Sequence, residues 1–189
     1  MFFNLPNALT WMRIVMIPLF VGVYYFPLTW LALPQQNLVA TVIFTVAAIT
    51  DLLDGYLARK LNQTSAFGAF LDPVADKLMV AAALIVLVDL NRLNAVIAVI
   101  IIGREITISA LREWMAHLGA AKSVAVSMLG KIKTVSQMVA IPMLLYHDAL
   151  GAFQPHQWGT GLILLAAALT LWSMFYYLKM ALPTVQKLG

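Results

Sequence analysis

Asp51, Asp54, Asp72 and Asp76 make up four of the eight acidic residues in a chain of 189 residues that is 62% hydrophobic. Residues three or four apart share a face of an α-helix, so Asp51 with Asp54, and Asp72 with Asp76, form two carboxylate pairs. The stretch KLNQTSA between them is short, which makes the two helices antiparallel neighbours, with Thr64 or Ser65 capping the second, and lets the pairs converge. A lone ionised carboxylate at the centre of a bilayer costs about 2.5 to 3.5 kcal/mol on insertion scales, and four together also repel one another. Two forms of compensation suggest themselves: protonation of some members, or one or two bound divalent cations. Clustered carboxylate oxygens suit Mg2+ or Mn2+, and two such ions can clamp the attacking and leaving oxygens of a phosphoryl transfer, so a dimetal site is the preferred reading.

Small residues adjoin both pairs. Gly55, Ala58 and Gly68 leave a groove that admits a flat group such as a nucleobase, or simply let the helices pack closely. Arg59 is placed either to neutralise a phosphate or to anchor the helix at the interface. Pro73 removes the hydrogen bond to the carbonyl of Ala69 and predicts a local bend beside Asp72. A second polar group lies in GREITISALREW, where Arg104 and Arg112 are separated by about 80° around a helix and can border one cavity. Lys131 and Lys133 can complete a cationic pocket there. The alternatives are a structural Glu105–Arg112 pair and lysines serving as interface anchors. Asn7, Thr10 and Arg13 recur at helical spacing near the start, where a cap and a topological anchor are competing explanations.

The elements that must position these groups follow from hydropathy. Apolar stretches recur along the whole length, each extendable to the roughly 20 residues that cross a bilayer, and backbone in hydrocarbon must satisfy its own hydrogen bonds. The reading is therefore an all-α polytopic membrane protein with six transmembrane helices at about 8–27, 36–60, 65–89, 94–117, 124–147 and 157–182, forming one domain over residues 1–189. The basic residues Arg59, Lys60, Arg112, Lys122, Lys131, Lys133, Lys179 and Lys187 gather at one set of helix ends. The positive-inside rule places those ends, and both termini, in the cytoplasm. The start of the chain reads as a retained first helix and not as a cleaved leader. With no cysteine, disulfides, thiolate metal sites and cysteine nucleophiles are excluded. The net charge of +4 suits an anionic membrane surface or a phosphorylated ligand, and the aromatic residues read as interface belt and packing, with no nucleic-acid platform among them.

Asp51-x-x-Asp54-Gly55-x-x-Ala58-Arg59, eight residues, then Gly68-x-x-x-Asp72-x-x-x-Asp76 resembles in every member the signature of the CDP-alcohol phosphotransferases. The likeness extends through NLPNALTWMRIVMIPLF, GREITISALREWMA, SVAVSMLGKIKT and ALTLWSM, towards the bacterial members that form phosphatidylglycerophosphate. The resemblance implies the six-helix fold of that family and transfer of a phosphatidyl group from CDP-diacylglycerol to sn-glycerol 3-phosphate, with release of CMP. It further implies a homodimer in the bacterial inner membrane whose site opens to the cytoplasm. Asp51, Asp54, Asp72 and Asp76 would hold two divalent cations, Mg2+ or Mn2+, and Asp76 would be the catalytic base. Gly55, Ala58, Arg59 and Gly68, with Asn7 and Thr10, would border the CDP moiety, leaving Arg104, Arg112, Lys131 and Lys133 for the acceptor phosphate. A different acceptor alcohol, a cation-coupled transporter and a prenyl-diphosphate enzyme are the competing readings. The absence of a visible repeat weighs against the transporter, and the Gly, Ala and Arg spacing gives no support to the prenyl-diphosphate enzyme.

Overall fold

The computed structural model describes the backbone of residues 5–61, 66–117 and 128–188, and the side-chain environments of 7–53, 60, 68, 70–117, 130 and 132–180. Six helices follow in order: α1 Leu5–Gly22, continued by a 3-10 turn at Val23–Tyr25, α2 Leu33–Leu61, α3 Ala66–Asp89, α4 Ala95–His117, α5 Met128–Tyr146 and α6 Pro155–Leu188. The described residues contain no strand, only an isolated bridge between Leu150 and Phe153. The all-α class is as expected.

Helices α3 and α4 fall within one residue of the expected limits at both ends, and α3 is assigned continuously through Pro73. The end of α1 departs further, stopping at Gly22 although the apolar run continues through Tyr24, Tyr25 and Phe26. Pro27 explains the difference: it disfavours helical backbone at the residue before it, and Phe26 is extended at φ −68° and ψ 140°. At the other end of the chain α6 continues through Pro183 to Leu188, beyond the expected stop at 182. A single proline forfeits one helical hydrogen bond without obliging the helix to stop. The expected N-cap at Thr64 or Ser65 and the expected start of the fifth helix at 124 lie outside the described residues.

Three helices contain spans long and apolar enough to cross a membrane: Asn7–Tyr25, Leu33–Leu53 and Pro155–Met180. Helices α3 and α4 have 24 and 23 residues, about 36 and 35 Å at 1.5 Å per residue. What separates them from the first three is charge, Asp72, Asp76 and Lys77 in one and Arg104, Glu105 and Arg112 in the other. Large apolar side chains nevertheless face outward on every helix, among them Val15, Val42, Ile85, Val99, Val135 and Leu164. Polar ones face inward: Asn7, Thr10, Arg13, Gln36, Asn37, Arg104, Lys133, Gln137, Thr170 and Ser173 are all buried. A molecule apolar outside and polar within suits a hydrocarbon solvent, and the chain is a membrane protein with several membrane-crossing helices.

Two apolar clusters hold the helices together. The larger gathers Phe20, Phe44, Leu84, Leu87, Ile101, Ile141, Leu144 and Ile163, and the smaller joins Ile108 and Met115 of α4 to Tyr177 of α6. Between them lies a polar layer. Along α4 the order is Ile101, Arg104, Ile108, and along α6 it is Ala167, Thr170, Ser173, Tyr177, each residue buried. Helix α6 also approaches α5 closely at Gly159, where an added Cβ would lie 2.9 Å from Leu144 Cγ and 3.2 Å from the carbonyl oxygen of Ala140. A glycine there permits the contact.

Remote from the aspartates, Arg92 in the α3–α4 connection ties the bundle together. Its guanidinium donates to the carbonyls of Leu144 (3.2 Å) and Leu145 (2.6 Å) in the last turn of α5, and to Asn37 Oδ1 of α2 (2.8 Å). It thereby satisfies carbonyls that no intrahelical donor can reach and joins three elements. Arg92→Ala should lower the stability of the purified protein by about 2 kcal/mol, seen as a lower thermal midpoint in detergent. An unchanged midpoint would show that water replaces these bonds at no cost.

Candidate active site

Helix α1 packs against both α2 and α3, and among the described residues it contacts each more extensively than they contact one another. Thr10 and Arg13, three residues apart, therefore lie on one face directed at the aspartates. The Thr10 hydroxyl donates to Asp72 Oδ1, and an Arg13 guanidinium nitrogen lies 2.7 Å from Asp51 Oδ1. One side-chain stripe of α1 thus reaches an aspartate of each pair. Arg13 is only 1% exposed, which overturns its reading as a topological anchor. Asn7 shares this stripe and is buried inside a helix that begins at Leu5, so it is not the cap of α1. Compensation for the aspartates, ascribed from sequence to protons or cations, comes in part from α1.

Asp76, one turn beyond Asp72, stands where two cavities meet. With Arg13, Asp51, Phe44 and Met79 it lines a narrow cleft of about 10 Å³. With Lys77, Glu105, Thr134 and Gln137 it lines a second cavity of about 70 Å³. The carboxylates are near enough to act on each other, the charge of Asp72 bearing on Asp51 and that of Asp51 on Asp76. Among the described residues no three His, Cys, Asp or Glu side chains form a group able to hold one ion. Asp54, Gly55, Ala58 and Arg59 lie on the backbone of α2, and Lys131 on that of α5, but their side-chain environments are outside the described residues. Gly68 is buried. The donor chemistry nonetheless fits a hard divalent cation, which prefers the carboxylate oxygens that α2 and α3 supply at helical spacing.

The second group of charges forms across α4, α5 and α6. Lys133 makes an ion pair with Glu105 Oε1, and a guanidinium nitrogen of Arg104 lies 3.5 Å from the same oxygen. Arg104 also donates to Ser173 Oγ at 3.0 Å, and Arg112 donates to the Tyr177 hydroxyl at 3.4 Å. Both arginines stand over the Tyr177 ring, at 5.8 and 5.3 Å from its centroid, within the range of a cation–π attraction. The structure therefore brings Arg104, Arg112 and Lys133 together. The alternative Glu105–Arg112 pair is not formed: Glu105 turns to Lys133 and Arg104, while Arg112 turns to Tyr177. Lys133 is buried, which removes its reading as an interface anchor. Among the described residues the buried Nε atoms of Arg104 and Arg112 have no hydrogen-bond partner and remain as spare donors.

Sequence reasoning left several neighbours of these groups without a role: Thr134, Gln137, Ser173 and Tyr177. The available signal was a polar residue inside an apolar run, which in a membrane helix points inward. Pattern alone did not reveal which residues meet, because the partners are supplied by helices distant in sequence.

Taken together, the geometry sets a carboxylate cluster beside a cluster of cations, with Asp76 and Glu105 on the wall of one intervening cavity. Comparison with known proteins agrees with the motif. The model of the CDP-alcohol phosphatidyltransferase family matches residues 3–172. The Escherichia coli K12 protein named CDP-diacylglycerol--glycerol-3-phosphate 3-phosphatidyltransferase is 49% identical over 185 residues, covering 95% of this chain and 95% of its own. Proteins of the same name from Escherichia coli O157:H7 and Shigella flexneri serotype 5b match at the same 49% identity and 95% coverage of each chain. Motif, helical fold and near full-length similarity agree: the chain belongs to the CDP-alcohol phosphatidyltransferase family.

Proposed function

We propose that this protein transfers the phosphatidyl group of CDP-diacylglycerol to sn-glycerol 3-phosphate, forming phosphatidylglycerophosphate and CMP. The observation that carries the reading is the cavity walled by both Asp76 and Glu105. One wall has a carboxylate able to accept a proton and another has Glu105, which is paired with Lys133 and Arg104, cations able to hold a phosphate; the acceptor contains both a hydroxyl and a phosphate. The relatives' printed name supplies the same pair of substrates.

Metal dependence is general in this family. Asp51, Asp54, Asp72 and Asp76 would hold two divalent cations, Mg2+ or Mn2+, whose chemistry is to offset the diphosphate charge and make CMP a better leaving group. Thr10 and Arg13 orient Asp72 and Asp51 from the α1 side, with Asn7 beside them. Gly55, Ala58 and Gly68 border the cytidine, and Arg59 faces the diphosphate. Arg104, Arg112, Lys131 and Lys133 hold the acceptor phosphate, the arginines offering planar paired donors. Asp76 takes the proton from the acceptor hydroxyl. That oxygen forms a bond to the phosphorus bearing diacylglycerol while the bond from this phosphorus to the CMP oxygen breaks. The same reading makes residues 1–189 one domain with six membrane spans, the site and both termini facing the cytoplasm across the bacterial inner membrane, in a homodimer. The basic helix ends support the orientation, and the family resemblance supports the dimer.

Purified protein supplied with CDP-diacylglycerol and Mg2+ or Mn2+ should release CMP only when glycerol 3-phosphate is added. Turnover with another alcohol in its place would reassign the acceptor. Asp76→Asn should lower kcat by about 10²- to 10⁴-fold while binding of CDP-diacylglycerol persists; loss of all cation binding would make Asp76 chiefly a ligand. Arg112→Ala should raise the KM for glycerol 3-phosphate about tenfold with a smaller effect on kcat, and an unchanged KM would remove Arg112 from the acceptor pocket.

A further inference from the structure

The cations assigned to the acceptor phosphate already have an occupant. Glu105 places a single oxygen, Oε1, against both Lys133 and Arg104. Among the described residues it is the one carboxylate whose charge is felt at both of these cations. Lys133 and Arg104 are almost fully buried, with side chains 3% and 6% exposed, whereas Glu105 is 26% exposed and borders open space on two sides. On one side is the cavity it shares with Asp76. On the other is a cavity of about 100 Å³ lined by Lys77, Leu78, Ile102 and Ile106. Lys77 lines both cavities together with Glu105, so a third cation stands on the wall of each space that the carboxylate borders.

From this arrangement we infer that Glu105 is a resident counter-anion, which holds Lys133 and Arg104 until a phosphate monoester displaces it towards Lys77. The inference rests on the acceptor-site reading above and adds a specificity device to it. A buried cation pair needs an anion at all times, and Glu105 supplies one between turnovers. A phosphate monoester carries close to two charges at neutral pH and can outcompete a carboxylate for those donors. A neutral polyol cannot, so the internal carboxylate favours phosphorylated acceptors by exclusion as well as by attraction. Glu105 is thus a positioning and specificity residue, and no reacting atom bonds to it.

Glu105→Gln keeps the side-chain shape while removing the competing charge. In the purified full-length protein it should tighten binding of inorganic phosphate about tenfold and lower the KM for glycerol 3-phosphate to a similar degree, with a smaller change in kcat. Glu105→Asp, which restores the charge, should return both constants towards their starting values. A merely structural role predicts weaker phosphate binding in both variants, and that result, or unchanged affinity, overturns the inference. A measurement on the unsubstituted protein avoids any dependence on how the variants fold. Glu105 and Glu113 are the only glutamates in the chain, so side-chain carboxyl labelling with carbon-13 gives two resonances, assigned through Glu113→Gln. The Glu105 signal should shift as inorganic phosphate is added, and a signal that does not move overturns the displacement. CMP release with glycerol 3-phosphate but no Glu105 response would sink this inference alone. No CMP release with that acceptor would sink the acceptor reading, while the phosphate titration would still decide whether Glu105 yields to an anion.

Discussion

Hydrocarbon tolerates a charge only where something nearby answers it, and this constraint orders the interior of the bundle. Arg13 meets Asp51, Lys133 and Arg104 share Glu105, and Arg92 meets Asn37 and the end of α5. The Arg13–Asp51, Lys133–Glu105 and Arg92–Asn37 contacts each join different elements, so satisfying these charges also helps to fix how the helices sit against one another. Apolar packing alone specifies less in a bilayer, because lipid tails are as good a partner for Leu or Val as another helix is. The polar contacts supply the register that the apolar clusters then consolidate.

The same constraint shapes the chemistry. A carboxylate cluster and a cation cluster left far apart would each need its own counterions. Placed side by side across α3, α4 and α5 they leave one cavity with a negative wall at Asp76 and a positive layer behind Glu105. That polarity suits an acceptor with a hydroxyl at one end and a phosphate at the other, and it keeps the acceptor phosphate away from the aspartates that would repel it. The polar layer in which Ser173 of α6 meets Arg104 lies between the two apolar clusters.

Much of this was legible in the chain because membrane helices expose their exceptions. The six elements, the limits of α3 and α4 and the meeting of Arg104 with Arg112 follow from hydropathy and a 3.6-residue period. The part α1 plays did not follow. Thr10 and Arg13 stood at helical spacing, yet spacing could not distinguish an interface anchor from a side chain aimed at residues 38 and 62 positions further on. Glu105 was read towards its own helix, as a partner of Arg112, because intrahelical neighbours are the only ones a sequence displays. The helix limits near Pro27 and Pro183 show the other boundary of such reasoning: proline ends one helix early and is tolerated in another, and the outcome depends on the surrounding chain.

Diffraction from crystals of the protein soaked with Mn2+ and glycerol 3-phosphate would test the central claim, that the interior is divided into a metal-holding end and a phosphate-holding end facing one cavity. Anomalous manganese peaks should fall among Asp51, Asp54, Asp72 and Asp76, with the glycerol 3-phosphate phosphorus against Arg104, Arg112 and Lys133 and its hydroxyl end towards Asp76. Manganese bound away from these aspartates, or the phosphate seated elsewhere than on these three cations, would contradict the account.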